Sequence, residues 1–562
     1  MAILHNIKIK NFRGIQNFEQ NFDSGLICII GRGDSGKSTI LEAINLVLSS
    51  SWTMSFHDSD FYNCQTDTPI EIEATLTNIP EKQLAKYGMF VRGIIAGSII
   101  DDIESEEAIN AKEALTIKLT VTKDLEPIWT VVSYRGQEPT IITATDRAKM
   151  NVSSISDYID RHFSLNKGNP LYTLFKSLNE NNIDENEGNV VLDILRETKT
   201  RIDDSIADKF DSVIKKIIDT ATALGIDTDG IRASIDHRDI SIKENKVCLH
   251  ESEIPLRLKG KGARRLFSLA IQLSIANPNG IILIDEIEQG LEPDRVQHLV
   301  SILSKITNSQ IIFTTHSRNV IVELSCNNLF LMTKDATSLL NIPLELQDCV
   351  RSNPEALFMK RIIVCEGKTE IGICRALNQY RQSLDKINLA YLGIGLVDGG
   401  GDSMIERATK FSSLGFSTSL LCDSDKDMAD AKNMLRGAGI SVFDCQAGSS
   451  IEQQLFADLS WEQIVQLVDY KIQIEDFDSK AVFQSTYSQK QPMPDFTENW
   501  YKVESDELRI LLGNASKRKN GWYKRIDHAE KVGEIIFSDF DKLPADKKTK
   551  QMFEELSQWI DS

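Results

Sequence analysis

The sequence predicts an α/β chain of two successive domains, each organised around a largely parallel sheet. Three observations predict it. Near the start, the apolar run "LICII" leads directly into the glycine-rich segment "GRGDSGKST". Far downstream, a second apolar run ends on paired acids in "IILIDE". Past Pro354, apolar strands and helical segments alternate again and deliver carboxylates to strand ends. Alternation of this kind means a parallel sheet, and ligands collect at the carboxyl ends of its strands.

The bulk composition frames these elements. At 562 residues the chain is too long for one core. Its 41% hydrophobic and 26% charged content is that of an ordinary globular protein. No apolar run approaches a membrane span of about 18 residues, and the opening "MAILHNIKIKNFRG" lacks a signal-peptide core, so a cytoplasmic location is expected. The nine cysteines include no CxxC pair and suggest neither a disulfide frame nor zinc. Cys28, Cys365 and Cys422 sit in apolar runs and read as small buried hydrophobes. A net charge of −19 argues against nonspecific coating of nucleic acid, though it leaves room for a local basic groove.

Element by element, "NIKIKNFRGI" alternates like a half-buried strand, and "LICII" reads as a fully buried one. Gly31, Gly36, Lys37 and Ser38, with Thr39 following, satisfy G-x-x-x-x-G-K-[ST]. Backbone N–H groups of such a loop wrap phosphates, Lys37 reaches the β- and γ-phosphates, and Ser38 binds Mg²⁺. "STILEAINLVL" continues as a helix with its N-terminus toward the anion. Downstream, Ile281 to Ile284 form a buried strand, with Asp285 placed to hold the Mg²⁺ and Glu286 to act as general base for water. "QIIFTTHS" is another apolar strand, ending on His316, a candidate γ-phosphate sensor.

These residues resemble the ABC-type ATPases of the SMC and RecF branch. Lys37, Asp285, Glu286 and His316 match the Walker A, Walker B and switch-histidine positions, and "LEPD" resembles the D-loop. "IKNFRG" matches the opening strand of that branch, which implies that Arg13 lies near the nucleotide. "LRLKGKGARRLFSLAIQL", with Gly260 and Gly262 opening a helix, stands in the signature position; "DSDFYNCQ" is the candidate Q-loop. In that branch the signature closes on ATP held by a second subunit, so the resemblance implies a homodimer or a larger even-numbered assembly.

The two Walker motifs enclose an insert, about residues 165–235, inside an ATPase domain expected over 1–345. From Val191 to Ile217, Val191, Leu195, Ile202, Ile206, Phe210, Val213 and Ile217 recur at helical spacing. Such a stripe packs either on its own domain or on a second copy.

The second domain is expected over 346–562, with a C-terminal helical extension. "RIIVCEGKTEIGICRAL" gives a strand, a Glu-Gly turn and a helix, placing Glu366 at the strand end and Glu370 on the first helical turn. "FSTSLLCDSDKD" is a strand ending on Asp423 and Asp425, which two residues apart point to the same side and are expected to converge at the sheet's carboxyl edge with Glu366. Oxygen ligands of this kind suit Mg²⁺ or Mn²⁺. The pattern resembles the Toprim fold of primases, topoisomerases and certain nucleases.

An ABC ATPase followed by Toprim resembles the OLD (overcoming lysogenization defect) family of nucleases, which includes the Gabija nuclease subunit and retron-associated effectors. The resemblance implies an ATP-regulated, metal-dependent DNA endonuclease or nickase in antiphage defence. It also implies a helicase-like or reverse-transcriptase partner encoded nearby. It adds Glu452, in "SSIEQQL", or Glu370 as a second-metal ligand, and a late lysine: Lys524, with Lys517 and Lys519 as competitors. "ASKRKNGWYKR" combines cations with Trp522 and Tyr523, which suits phosphate contact and base stacking. The alternative from another class is a RecF- or SMC-like DNA-binding scaffold with an inactive Toprim domain. A scaffold needs none of Glu366, Asp423, Asp425, Glu452 and the late lysine.

Overall fold

The computed structural model describes residues 2–51, 54–101, 111–155, 160–165, 169–178, 199–228, 230–235, 247–276, 280–482, 500–517 and 521–562. The chain divides into two compact units, Met1–Ile342 and Pro343–Ser562.

The first unit contains two large sheets. One is antiparallel, with Ile3–Phe12 paired on one side to Ile15–Asn21 and on the other to Ile70–Thr77. Ile3–Phe12 is buried along most of its length and is not a half-exposed strand, because it is an interior strand and its inner face meets a helix. The other sheet is mostly parallel, in the order Val152–Ile155, Ile281–Ile284, Gln310–Thr314, Leu26–Ile30, Leu329–Met332 and Leu339–Asn341, the last pair antiparallel. This order places "LICII" directly beside "QIIFT", with Phe313 opposite Cys28. The carboxyl ends of three strands bearing nucleotide motifs therefore lie next to one another.

Helix Lys37–Leu48 lies between the two sheets. Ile40, Leu41, Ala43, Ile44, Val47 and Leu48 are all buried, which explains why its sequence is apolar on nearly every side. In the insert, helix Lys199–Ala223 packs against helix Lys261–Ala276. Phe210, Val213 and Ile217 are buried within their own unit, and Phe210 stacks on Phe175 at 4.7 Å. That part of the stripe is an internal seam and does not present a face to a second copy. Val191 and Leu195 lie outside the described residues, as do the side chains of Ile202 and Ile206.

The second unit is built on four parallel strands in the order Ile394–Asp398, Arg361–Cys365, Ser417–Cys422 and Ser441–Asp444. Helix Lys368–Ser383 packs closely along helix Ile526–Ser538. A Cβ at Gly372 would stand 2.5 Å from the Cβ of Ala529, and one at Gly533 would stand 2.4 Å from that of Ala376. These reciprocal contacts let the two backbones approach, which carries the segment before Ile526 to the sheet's carboxyl edge. Trp522 and Tyr523, expected to stack on bases, are instead core residues at 2% and 1% exposure. The Tyr523 hydroxyl donates to the Leu467 carbonyl at 2.7 Å, so the aromatic pair anchors the basic segment and offers no stacking face.

Gly372→Ala and Gly533→Ala are expected to destabilise the protein by about 1–3 kcal/mol each through overpacking. Gly437→Ala, where nothing lies within 4 Å of the added carbon, is the control and should cost nothing. Urea unfolding midpoints measure this; equal midpoints for all three would show that the helices do not meet as described.

Candidate active sites: a nucleotide pocket and a carboxylate cluster

The nucleotide motifs converge as their strand order requires. Lys37 is buried, and its ammonium fills the hollow of the loop, donating to the carbonyls of Gly31 at 3.0 Å and Arg32 at 2.5 Å and to Ser35 Oγ at 3.2 Å. Burial lowers its pKa, while Asp285 and Glu286 oppose that shift. Ser38 Oγ donates to Asp285 Oδ1 at 3.0 Å, so the two expected Mg²⁺-shell residues already meet. Thr39 follows on the same first helical turn. Arg13 is fixed by Asp60, donating through Nε at 2.9 Å to the carboxylate and through its backbone N–H at 2.7 Å to the carbonyl. Asp60 belongs to the candidate Q-loop segment, which forms short turns at Asp58–Asp60 and Tyr62–Cys64. Burial raises the pKa of Glu42 on the P-loop helix; Arg13 lowers it, and Asp285 and Asp60 raise it further.

Sequence reasoning missed the residues that join the acidic loop to the sensor strand. The Thr314 hydroxyl donates to Asp285 Oδ1 at 2.6 Å and accepts the Glu286 N–H at 2.8 Å. Glu286 sits at φ 46°, a left-handed conformation that non-glycine residues seldom adopt, and its carboxylate side is exposed. Arg265, on the helix that begins at Lys261, donates to the backbone carbonyls of Asp285 and Glu286. Glu288 accepts from the Thr315 hydroxyl at 2.7 Å and from the His316 N–H at 2.6 Å. A threonine pair after an apolar strand carries no sequence signature of its own. Gly260 has open space around it, whereas a Cβ on Gly262 would stand 2.5 Å from the Gly290 carbonyl. Gly262 is thus needed for backbone packing within the unit.

In the second unit, Glu366, Glu370, Asp423 and Glu452 form one electrostatic cluster. Glu366 Oε2 accepts the Asp423 N–H at 2.8 Å, tying neighbouring strand ends together. Asp423 Oδ1 accepts the Ile451 N–H at 2.6 Å, at the start of helix Ile451–Asp458. Glu370 caps its own helix through the Gly367 N–H at 2.9 Å. Glu452 is 1% exposed; Lys524 Nζ lies 2.6 Å from its Oε1 and Ser450 Oγ donates to its Oε2 at 3.0 Å. Lys432, also missed, is buried and donates to the Asp423 carbonyl at 2.6 Å, Ser424 Oγ at 2.9 Å and Asp444 at 3.2 Å.

The strand ends at Cys422, so alternation does not carry through Asp423 and Asp425. Asp423 turns into the cluster, whereas Asp425 pairs with Lys517 at 3.3 Å and acts on Glu366 only through its charge. Lys524 and Lys517 both reach acidic residues of the site; Lys519 lies outside the described residues.

Burial pushes Asp423 up to about 8, with Glu370, Glu366 and Glu452 adding repulsion. Burial likewise lifts Glu370 to about 7, with the charges of Glu452 and Glu366 adding to it. Among the described residues, no three His, Cys, Asp or Glu side chains already stand in an arrangement that holds an ion. The chemistry of the donor set nevertheless fits a hard divalent cation: the cluster supplies oxygen alone, and its repulsion is relieved by positive charge.

A pH dependence follows from the raised values. Unfolded carboxyls titrate near about 4, so the contribution of Asp423 and Glu370 is fully present below that pH and is lost as pH rises through about 7 to 8. Asp423→Asn is therefore expected to melt above the parent at pH 8.5 without metal, with the difference shrinking at pH 5. Equal differences at both pH values in thermal scans would contradict this.

Comparison with known proteins agrees with this geometry. The family described as AAA domain, putative AbiEii toxin, Type IV TA system matches residues 26–323. The Overcoming lysogenization defect protein-like TOPRIM domain matches residues 357–425. A 46-residue stretch is 48% identical to the DNA double-strand break repair Rad50 ATPase of Methanococcus maripaludis, covering 8% of this chain and 5% of that protein. A 127-residue stretch is 29% identical to the DNA replication and repair protein RecF of Rickettsia akari, covering 23% of this chain and 34% of that one. The matches thus span about a third of these relatives' own length or less. Similar solved structures include the Smc head domain of Pyrococcus furiosus with an extended coiled coil, bound to the C-terminal domain of ScpA. Its TM-score is 0.39 at 15% identity, over 63% of this chain and 100% of that one. Another is the recombination mediator protein RecF, with TM-score 0.36 at 14% identity over 61% and 98%. With the AAA match covering more than half its length and the TOPRIM match following it, the chain belongs to the AAA-domain family and is an ATPase–Toprim protein of the OLD family.

Proposed function

We propose that this nuclease-type ATPase is a divalent-metal-dependent DNA endonuclease or nickase, regulated by ATP, acting as a homodimer in antiphage defence. The observation that carries the reading is the cluster of Glu366, Glu370, Asp423 and Glu452 with Lys524 beside Glu452. A scaffold has no use for four mutually repelling carboxylates in a partly buried site. DNA as substrate is supported by the repair functions named for the Rad50 and RecF relatives.

Glu366, Asp423 and Glu452, with Glu370 and Asp425 at the margins, would hold Mg²⁺ or Mn²⁺. When bound, such ions supply an activated water and stabilise the leaving oxygen. Backbone N–H groups of Asp423 and Ile451 fix the orientation of two of these carboxylates. Lys524 brings a positive charge to the same edge, where it can stabilise charge on the scissile phosphate. In the other unit Lys37 would neutralise phosphate charge, Ser38 and Asp285 would hold the nucleotide's Mg²⁺, and Glu286 would serve as the base for water. His316 reads the γ-phosphate, and Gly260 at the open start of its helix can approach phosphate on a second subunit.

Asp423→Ala and Glu366→Ala are expected to lose plasmid nicking by several orders of magnitude while ATP hydrolysis stays near the parent rate. Lys37→Ala should show the reverse primary defect, with ATP binding lost and the fold intact. Nicking of supercoiled plasmid in Mg²⁺ and in Mn²⁺, run beside phosphate release, separates the two units. Parent-level nicking by Asp423→Ala would pass the argument to the scaffold. Light scattering should give a dimer or larger even-numbered assembly at micromolar concentration; a monomer with and without ATP would refute the assembly.

A further inference from the structure

One carboxylate of the first unit belongs to no motif yet joins three of them. Glu288 lies two residues past Glu286 and uses both oxygens on the sensor strand: Oε2 accepts the Thr315 hydroxyl at 2.7 Å, and Oε1 accepts the His316 N–H at 2.6 Å. Thr315 is fully buried, and its oxygen in turn accepts the Ser317 N–H at 2.9 Å. The backbone on either side of Glu288 is turned tightly. Gln289 N–H donates to the Glu286 carbonyl at 2.9 Å, and Leu291 N–H to the Glu288 carbonyl at 3.0 Å. That turned loop ends at Gly290, whose carbonyl lies where a Cβ on Gly262 would stand. Arg265 from the same helix holds the loop's other end through the carbonyls of Asp285 and Glu286. The loop 285–290 is therefore gripped at both ends by helix Lys261–Ala276, and its centre is fastened to His316.

We propose that Glu288 is a positioning residue that makes the placement of His316 depend on the first turn of helix Lys261–Ala276. Its carboxylate, turned loop and contact at Gly262 form one continuous link between the γ-phosphate sensor and that helix. The inference rests on the nucleotide reading of this unit. Its physical basis is that removing the carboxylate strips a buried hydroxyl and a backbone N–H of their common acceptor. The strand end bearing His316 then loses the carboxylate that ties it to loop 285–290. ADP has no γ-phosphate, so its binding through the loop at Lys37 does not feel the change. Glu288→Gln retains the link: its amide oxygen can accept the His316 N–H and its amide nitrogen can donate to the Thr315 oxygen.

The test measures ATP and ADP affinity with fluorescent analogues on the full chain. Glu288→Ala should keep ADP affinity within about twofold and weaken ATP about tenfold, a factor that corresponds to 1.4 kcal/mol. Glu288→Gln should restore the parent ratio, and Thr315→Val, which removes only the hydroxyl, should fall between. An unchanged ATP-to-ADP ratio in Glu288→Ala, or equal defects in Glu288→Ala and Glu288→Gln, would overturn the proposal. Should Glu288→Ala fail to fold, a parent ratio in Thr315→Val would overturn it. Lys37→Ala in the same assay reports on the nucleotide reading itself: retention of ATP and ADP binding there refutes that reading, whatever Glu288 does.

Discussion

Four carboxylates drawn into one partly buried place set the terms for the Toprim unit. Glu366, Glu370, Asp423 and Glu452 bring their charges together, and burial raises the cost of charge on Glu366, Glu370 and Asp423. The surrounding structure compensates with what it has: N–H groups from Gly367, Asp423 and Ile451, and the ammonium of Lys524. Delivering that lysine requires the close crossing at Gly372 and Gly533, and the buried Trp522 and Tyr523 hold its segment in place. The helix packing of this unit thus brings Lys524 to the cluster, where Lys426 and Lys432 also offset the charge of Glu366.

The ATPase unit solves a different problem, the alignment of three loops from three parallel strands. Neighbouring positions in the sheet bring the loops together; two adjacent threonines fasten the acidic loop to the sensor strand, and Ser38 joins the P-loop helix to Asp285. Thr314 faces Asp285 and Glu286, while Thr315 faces Glu288. The strand ends at Thr314, and the two threonines hold successive parts of the one loop 285–290. The left-handed backbone at Glu286 is sustained by these contacts and by Arg265. The loops of the site are thus tied to one another by the protein's own hydrogen bonds.

Much of this was legible in the sequence because it was local. The loop at Gly31–Thr39, the strand ending at Asp285 and the strand–turn–helix at Glu366 each announce themselves within about ten residues. What was not legible depended on distant partners. The burial of Trp522 and Tyr523 follows from docking against helices remote in sequence, so a basic segment with aromatics read as a stacking surface. The Asp423–Asp425 spacing suggested one shared face, but the strand stops at Cys422 and the turn sends Asp425 toward Lys517. The Phe210–Ile217 stripe gave the helix correctly and left its partner undetermined; helix Lys261–Ala276 supplies that partner for the described part. Glu288 and Lys432 were invisible because their importance lies in what they touch.

The central proposal is that the Toprim carboxylates form a self-repelling cluster that a divalent cation would complete. Calorimetric titration of Mn²⁺ into the metal-free, nucleotide-free protein, in buffers of different ionisation enthalpy, tests it most directly, because an ion entering such a cluster must displace protons. At pH 7 the account predicts net proton release on ion binding, since burial and mutual repulsion raise Asp423 to about 8 and Glu370 to about 7. The release should fall toward zero at pH 9 and be strongly reduced in Asp423→Asn. Binding at pH 7 without proton release, or no binding at all, would contradict it.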